Sequence, residues 1–316
     1  MKWRRTATLT ILGLLITLPL QADWVWSPET GWVNTKYKGS TTSRGLQARG
    51  EALLEKKEYS KAAEAFQNIE QMHPDSPEGE EALFLAGNAH LEARRYDRAH
   101  DCFNRFLDRY PASDRIREVV DREYKIALAL LQPETKSFIG FRLVSSKQLA
   151  LEILRRVIAT IPYGQHADEA QLTIANYYFR EKFYFEAQTE YRELRKKYPQ
   201  SAWTHFSLYQ IGRCDEALFE GVKYDTSPLE SAQKSFEEYL RVAPEGNHLA
   251  EVNRRLIRIN KILAEKELTI ARFYLQRKRY RTARIYLEAV LSKYPQAPTS
   301  AEARRLLSKT KPAANR

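Results

Sequence analysis

The chain has few of the residues that make turns and interrupt helices, and almost no cysteine. Its 316 residues include 12 glycines, 13 prolines and 2 cysteines, and 43% of them are apolar. So few breakers among so many helix-forming residues predict an almost purely helical, all-α fold. Cys102 and Cys214 each fall within a helical apolar pattern, in different parts of the chain. We expect two buried thiols rather than a disulfide.

The signatures of catalysis and cofactor binding are also missing. No two glycines are one residue apart, which excludes the dinucleotide-binding fingerprint, and Gly50 is followed by Glu51 rather than by the lysine of a phosphate-binding loop. The six histidines form no His-Glu-x-x-His pair, and no serine stands in Gly-x-Ser-x-Gly. The sequence therefore predicts a protein that is not an enzyme and has no metal or cofactor.

Positive charge is in excess but scattered. The formal net charge is +11, and the basic residues form only short runs such as Arg277-Lys278-Arg279. Nucleic-acid binding proteins usually carry a clustered basic stripe or a recognisable motif. We therefore expect no nucleic-acid partner and a solvated basic face.

The N-terminus has the pattern of an export signal. Lys2, Arg4 and Arg5 precede an apolar run over 7–20, and Ala22 offers a cleavage site that leaves 1–22 as a signal peptide. The run of about 14 residues is shorter than the roughly 20 of a permanent membrane helix, although an uncleaved anchor stays open. The first cysteine is Cys102, so we expect an exported protein without a lipidation cysteine, whose membrane association depends on partners.

Six segments share one spacing. Each has an alanine, an apolar or aromatic residue four positions later, another apolar residue at the seventh position, and a proline at the twelfth. Positions i, i+4 and i+7 lie on one face of a helix, and proline ends that helix. The six segments begin at Ala62, Ala99, Ala150, Ala187, Ala232 and Ala283.

Small residues recur upstream of these segments, where a preceding helix would pack. They are Gly50, Gly87, Ala175, Gly212 and Ala271. A small residue in helix A, Ala-x3-aromatic in helix B and a closing proline resemble the tetratricopeptide repeat. We expect about six helical hairpins over 44–308, stacked into a superhelix whose concave face the A helices line, with 248–278 as one extended A helix.

Two terminal segments fall outside the repeats. Residues 23–43 hold Trp24, Trp26 and Trp32 around a turn-forming stretch, which predicts a small β-hairpin. It would serve either as a docking element or as a strap that covers the apolar edge of the first repeat. We expect the basic tail, 309–316, to be disordered.

The expected groove suggests a candidate binding site. Asn88 and Asn176 take the same place in their repeats, and Phe84 and Phe179 would line the same surface. In related clamps for extended peptides, an asparagine at this place hydrogen-bonds the ligand backbone. Arg213 and Arg272 occupy the corresponding place in later repeats and suit an acidic or C-terminal carboxylate ligand. The alternative is that these six are ordinary solvated or packing residues.

The C-terminal half resembles one family more closely. From Leu149 to Leu307 the chain is similar to the outer membrane assembly lipoprotein family BamD, on the segments 198–202, 263–267, 273–274, 280–283 and 294–295. The resemblance implies a scaffold in the periplasm or on the inner face of the outer membrane, which assists insertion of β-barrel proteins. Its partners would be a BamA-type barrel insertase and unfolded outer membrane proteins. The alternative is a general envelope adaptor that coordinates division or peptidoglycan synthesis.

Overall fold

The computed structural model describes residues 24–27, 31–34, 42–132, 140–221 and 225–310, and the side chains of 42–132, 146–221 and 225–310. The predicted signal peptide and residues 311–316 of the predicted tail lie outside these ranges. Within them, helices dominate, and the all-α prediction is confirmed. The one exception is the predicted hairpin, whose strands β1 (Trp24–Ser27) and β2 (Gly31–Asn34) pair antiparallel with Val25 opposite Val33.

The described residues contain 13 helices. In chain order these are α1 Ser43–Glu55, α2 Tyr59–Met72, α3 Pro77–Glu92, α4 Tyr96–Arg109, α5 Ile116–Leu131, α6 Gly140–Thr160, α7 Ala167–Arg180, α8 Tyr184–Lys197, α9 Thr204–Ala217, α10 Ser227–Val242, α11 Leu249–Gln276, α12 Tyr280–Lys293 and α13 Ser300–Lys309. Consecutive helices pack against each other within the series α1 to α4 and within the series α5 to α13. They form tetratricopeptide-type hairpins in which odd-numbered helices to α11 are A helices and even-numbered helices are B helices.

The chain divides into two compact units, residues 1–111 and 112–316. The first contains two hairpins, α1–α2 and α3–α4, and the second contains the other four and α13. All six repeat alanines are fully buried, as are the residues four positions after them. The spacing therefore identified the core face of every B helix.

Helices A and B approach most closely where a small residue faces a ring. A Cβ placed on Gly212 of α9 would lie 2.6 Å from Cε1 of Phe236 on α10, and one on Gly87 of α3 would lie 2.5 Å from Cε1 of Phe103 on α4. Real Cβ atoms need more room, so only glycine permits this contact without displacing the ring. The small residues predicted from the sequence are thus the sites where paired helices touch.

Proline and a strained turn end the helices. Each B helix ends two residues before its repeat proline, as at Lys197 and Pro199, because the residue before a proline disfavours the helical conformation. A helices end differently. Lys182, which follows α7, has a φ of 65°. The backbone N–H of Phe183 donates a hydrogen bond of 2.9 Å to the carbonyl oxygen of Tyr178. Lys57, Arg94 and Lys278 repeat this left-handed C-terminal cap without glycine.

The predicted extended A helix is confirmed as α11, which has 28 residues against 14 in α9. Its first half buries Val252 and Leu256 and packs against α10, whereas its second half buries Leu268 and Ala271 and pairs with α12. One helix thus supports two successive hairpins. Cys102 and Cys214 are buried free thiols, which confirms that prediction.

The close contact at Gly212 predicts a specific loss of stability. Changing Gly212→Ala should lower the free energy of unfolding by about 1–3 kcal/mol, since the added methyl group overlaps the Phe236 ring. Chemical denaturation measures the change. Phe236→Leu in the same chain removes the ring edge, so the double variant should lose less than the sum of the single variants. Additive losses would contradict the contact.

The left-handed turn at Lys182 predicts a gain. Lys182→Gly should raise the free energy of unfolding by about 0.5–1 kcal/mol, because glycine relieves the strain of a positive φ and this gain outweighs its greater unfolded-state entropy. Lys196→Gly, on the exposed side of α8, is the matched control and should lower stability by about 1 kcal/mol. Losses in both variants would contradict the interpretation of the turn.

Candidate functional site

The A helices of the second unit form a pocket of about 360 Å³. It opens where the C-terminal halves of α5, α7 and α9 lie side by side, the face predicted to bind ligand. Three of the six predicted groove residues meet there: Asn176 and Phe179 from α7 and Arg213 from α9. The remaining lining residues are Leu128, Leu131, Gln132, Thr173, Arg180 and Gln210.

A chain of hydrogen bonds holds the polar side of the pocket. Nη1 of Arg213 donates to Oε1 of Gln210 over 3.0 Å, and Nε2 of Gln210 donates to the hydroxyl of Tyr191 over 3.1 Å. The Tyr191 hydroxyl donates in turn to Oδ1 of Asn176 over 2.6 Å. Burial raises the pKa of the Tyr191 phenol, so it stays protonated and keeps this direction of donation. Because the Asn176 oxygen accepts this bond, its amide NH2 is the group that remains to donate to a ligand.

Arg213 supplies a positive charge to the pocket. Its guanidinium carbon lies 4.6 Å from the ring centroid of Phe179 and 5.6 Å from that of Tyr209. Among the described residues it makes no ion pair, and none of the residues that line the pocket is acidic. Stacking on rings orients the guanidinium while leaving donors for a ligand.

The pocket therefore combines three recognition chemistries. Asn176 can donate to a backbone carbonyl, Arg213 and Arg180 can pair with a carboxylate, and Leu128 and Leu131 offer apolar surface. This combination fits a peptide segment with an anionic group beside apolar side chains. It contains no nucleophile next to a base.

The other three predicted groove residues lie elsewhere. Phe84 is 4% exposed, with its ring centroid 6.2 Å from that of Phe106 in the core of the first unit. Asn88 lies half-buried on α3, also in that unit. Arg272 forms a bidentate ion pair with Glu302 of α13, in which Nη2 donates to Oε2 over 2.7 Å. The charge of Arg272 is therefore neutralised within the fold.

The sequence did not identify two other side chains of the hydrogen-bond chain beside the pocket. Gln210 precedes Arg213 by three residues, so helical periodicity places both on one face of α9 and could have identified it. Tyr191 was assigned to the core, where its ring is indeed buried. Its hydroxyl role depends on the contact with Asn176, which only the packed hairpin reveals.

A buried carboxylate lies on α9, the helix that also carries Arg213. Asp215 is 5% exposed; Oδ1 accepts a hydrogen bond from Nε2 of Gln188, whereas Oδ2 has no hydrogen-bond partner among the described residues. Burial raises the pKa of the Asp215 carboxyl because it disfavours the charged form. The same burial, with the neighbouring Asp215 charge, raises the pKa of the Cys214 thiol to about 12.

Comparisons with known proteins agree with this architecture. A family model described as YfiO, outer membrane lipoprotein, matches residues 41–134 and 144–313. A search of curated proteins finds no match. In the part of the chain that the structure describes, no helix has both the length and the apolar character needed to cross a bilayer.

Solved structures to which the chain is similar include tetratricopeptide repeat proteins. A TPR repeats protein from Bacteroides fragilis is 12% identical with a TM-score of 0.40, covering 85% of this chain and 98% of its own. MamA is 16% identical with a TM-score of 0.36, covering 64% and 92%. YrrB, described as a TPR protein with an unusual peptide-binding site, is 14% identical with a TM-score of 0.35, covering 70% and 95%.

The buried Asp215 predicts a pH-dependent stability difference. A carboxyl whose pKa is raised on folding stabilises the fold at low pH, and that contribution is lost as pH rises through the folded-state value. Asp215→Asn should therefore be more stable than the parent by about 1–2 kcal/mol at neutral pH. The gain should vanish below pH about 4, where the aspartate is protonated even when unfolded.

Thermal unfolding across this pH range measures the effect. Glu152→Gln, an exposed carboxyl on α6, is the control and should change stability little at any pH. A parent that is more stable than Asp215→Asn at neutral pH would show that the carboxylate is compensated in solution.

Proposed function

The chain belongs to the YfiO family of outer membrane lipoproteins, and from that premise we propose that it assists the assembly of β-barrel outer membrane proteins. It is a tetratricopeptide scaffold that binds other proteins. In this proposal its place is the periplasm or the inner face of the outer membrane, and its partners are a barrel insertase of the BamA type and unfolded barrel proteins. The family match over 41–134 and 144–313 carries the proposal.

The pocket on α5, α7 and α9 is the proposed binding site for an extended segment of such a partner. The Asn176 amide would donate to a backbone carbonyl of the segment, and Arg213 would pair with a carboxylate on it. Apolar side chains of the segment would pack on Leu128, Leu131 and Phe179. An unfolded barrel strand, with alternating apolar residues and an unpaired backbone, offers these groups.

The second candidate is a general envelope adaptor for division or peptidoglycan synthesis. The scattered positive charge supports it, because a basic surface suits anionic envelope polymers. The two candidates differ in the proteins captured at the same pocket. Their discrimination is therefore an experiment on partners rather than on fold.

Arg213→Ala should weaken binding of a peptide derived from a barrel strand about 10-fold or more, since a charge-assisted hydrogen bond contributes about 1.5–3 kcal/mol. Asn176→Asp should weaken it as well, because the donor facing the ligand backbone becomes a negative charge. Fluorescence anisotropy of a labelled peptide measures both. Arg192→Ala, an exposed arginine on α8, is the control and should leave affinity unchanged.

The cellular readout uses a photocrosslinking residue at Arg180, on the pocket lining, and a matched one at Lys196, exposed on α8. The assembly role predicts crosslinks from Arg180 alone to an insertase or to unfolded barrel proteins, and fewer folded barrels in cells that carry Arg213→Ala. Capture of wall or division proteins with normal barrel levels would refute that role and favour the adaptor.

A further inference from the structure

The turn between α11 and α12 has a concentration of charge that the pocket does not use. It carries Arg277, Lys278, Arg279 and Arg281, and every residue from 276 to 281 is exposed. Among the described residues none of these four cations makes an ion pair. We call these four residues, with the flanking Phe273 and Tyr280, the basic turn.

Two aromatic rings accompany the cations at the surface. Phe273 is 46% exposed and Tyr280 51% exposed. The guanidinium carbon of Arg277 lies 3.5 Å from the ring centroid of Phe273, which places this charge against an aromatic surface. Exposed aromatic rings beside several cations are the combination found in protein segments that lie in the interface of a bilayer.

The basic turn lies at the opposite end of α11 from the contacts that this helix makes with α9. His248, at the start of α11, stacks on Tyr209 of α9 with centroids 4.1 Å apart, and Arg255 pairs with Glu216 near the end of α9. Beyond that pair α11 continues to Gln276. At about 1.5 Å per residue, this extension carries the basic turn roughly 30 Å past the level of Arg255.

We propose that the basic turn binds the phosphate-bearing surface of an anionic membrane. Its four cations are exposed and follow one another around a tight turn, with Lys278 in the left-handed conformation, and none of them pairs with a carboxylate of the described residues. A lipid surface instead presents many phosphates in a plane and accepts aromatic rings at the level of its headgroups. The proposal gives the chain a direct membrane contact beside any contact through partners, and it does not depend on the proposed assembly role.

Co-sedimentation with vesicles tests it, using the mature full chain. The parent should bind vesicles that contain phosphatidylglycerol and not vesicles of phosphatidylcholine alone. The pair Lys278→Gln and Arg279→Gln should lower the partition coefficient about 25-fold, since each cation near an anionic surface contributes about fivefold. Tyr280→Ser should lower it further, and far-ultraviolet circular dichroism should show unchanged helix content in every variant.

The control removes the same charge elsewhere. Arg192→Gln with Lys196→Gln, both exposed on α8, should lower binding less than about twofold, because charges beyond a Debye length of the membrane contribute little. Excess inorganic phosphate distinguishes a membrane site from a site for free phosphate. Equal losses in the two charge-matched pairs, no preference for phosphatidylglycerol, or release of the protein by phosphate at constant ionic strength would each overturn the proposal.

Discussion

The structure depends on one contact, repeated in hairpin after hairpin: a small residue of helix A against a large side chain of helix B. At Gly50, Gly87 and Gly212 the facing ring lies so close that no side chain fits between. After α1 and α3, the helices of Gly50 and Gly87, the turn to the next helix is short and contains a left-handed residue, Lys57 or Arg94. In the α7–α8 hairpin Ala175 and Tyr191 belong to one buried cluster, and the Tyr191 hydroxyl donates to Asn176. The hydrogen-bond chain beside the pocket thus passes through a side chain that also packs in the hairpin core.

Much of this architecture is predictable from residue spacing. Alanine and the i+4 and i+7 residues mark one face of each B helix, and proline marks its end, because both rules depend only on local geometry. The core of α8 and α10 follows from them directly. The hairpin at 24–34 follows from alternating Trp and Val around a turn.

The site is less predictable, because its residues act through partners distant in sequence. Phe84 and Phe179 were both expected to line one surface, yet Phe84 is buried against Phe106 while Phe179 receives Arg213. Arg213 and Arg272 also correspond, but Glu302 of α13 pairs with Arg272 across 30 positions. Spacing within one helix identifies a face; which neighbour covers that face is decided by tertiary packing.

Helix α11 sets the distance between α9, which carries Arg213, and the basic turn. Its first turns touch the helix that carries Arg213, through Glu251 and Arg255, and its last residue borders the basic turn. From Arg255 to Arg277 a continuous helix spans about 33 Å, a distance that side-chain motion cannot shorten. If the basic turn rests on a membrane, the length of α11 and of its flanking side chains limits the distance between the pocket and that surface. The length of one helix would then set the distance from the membrane at which a bound segment is held.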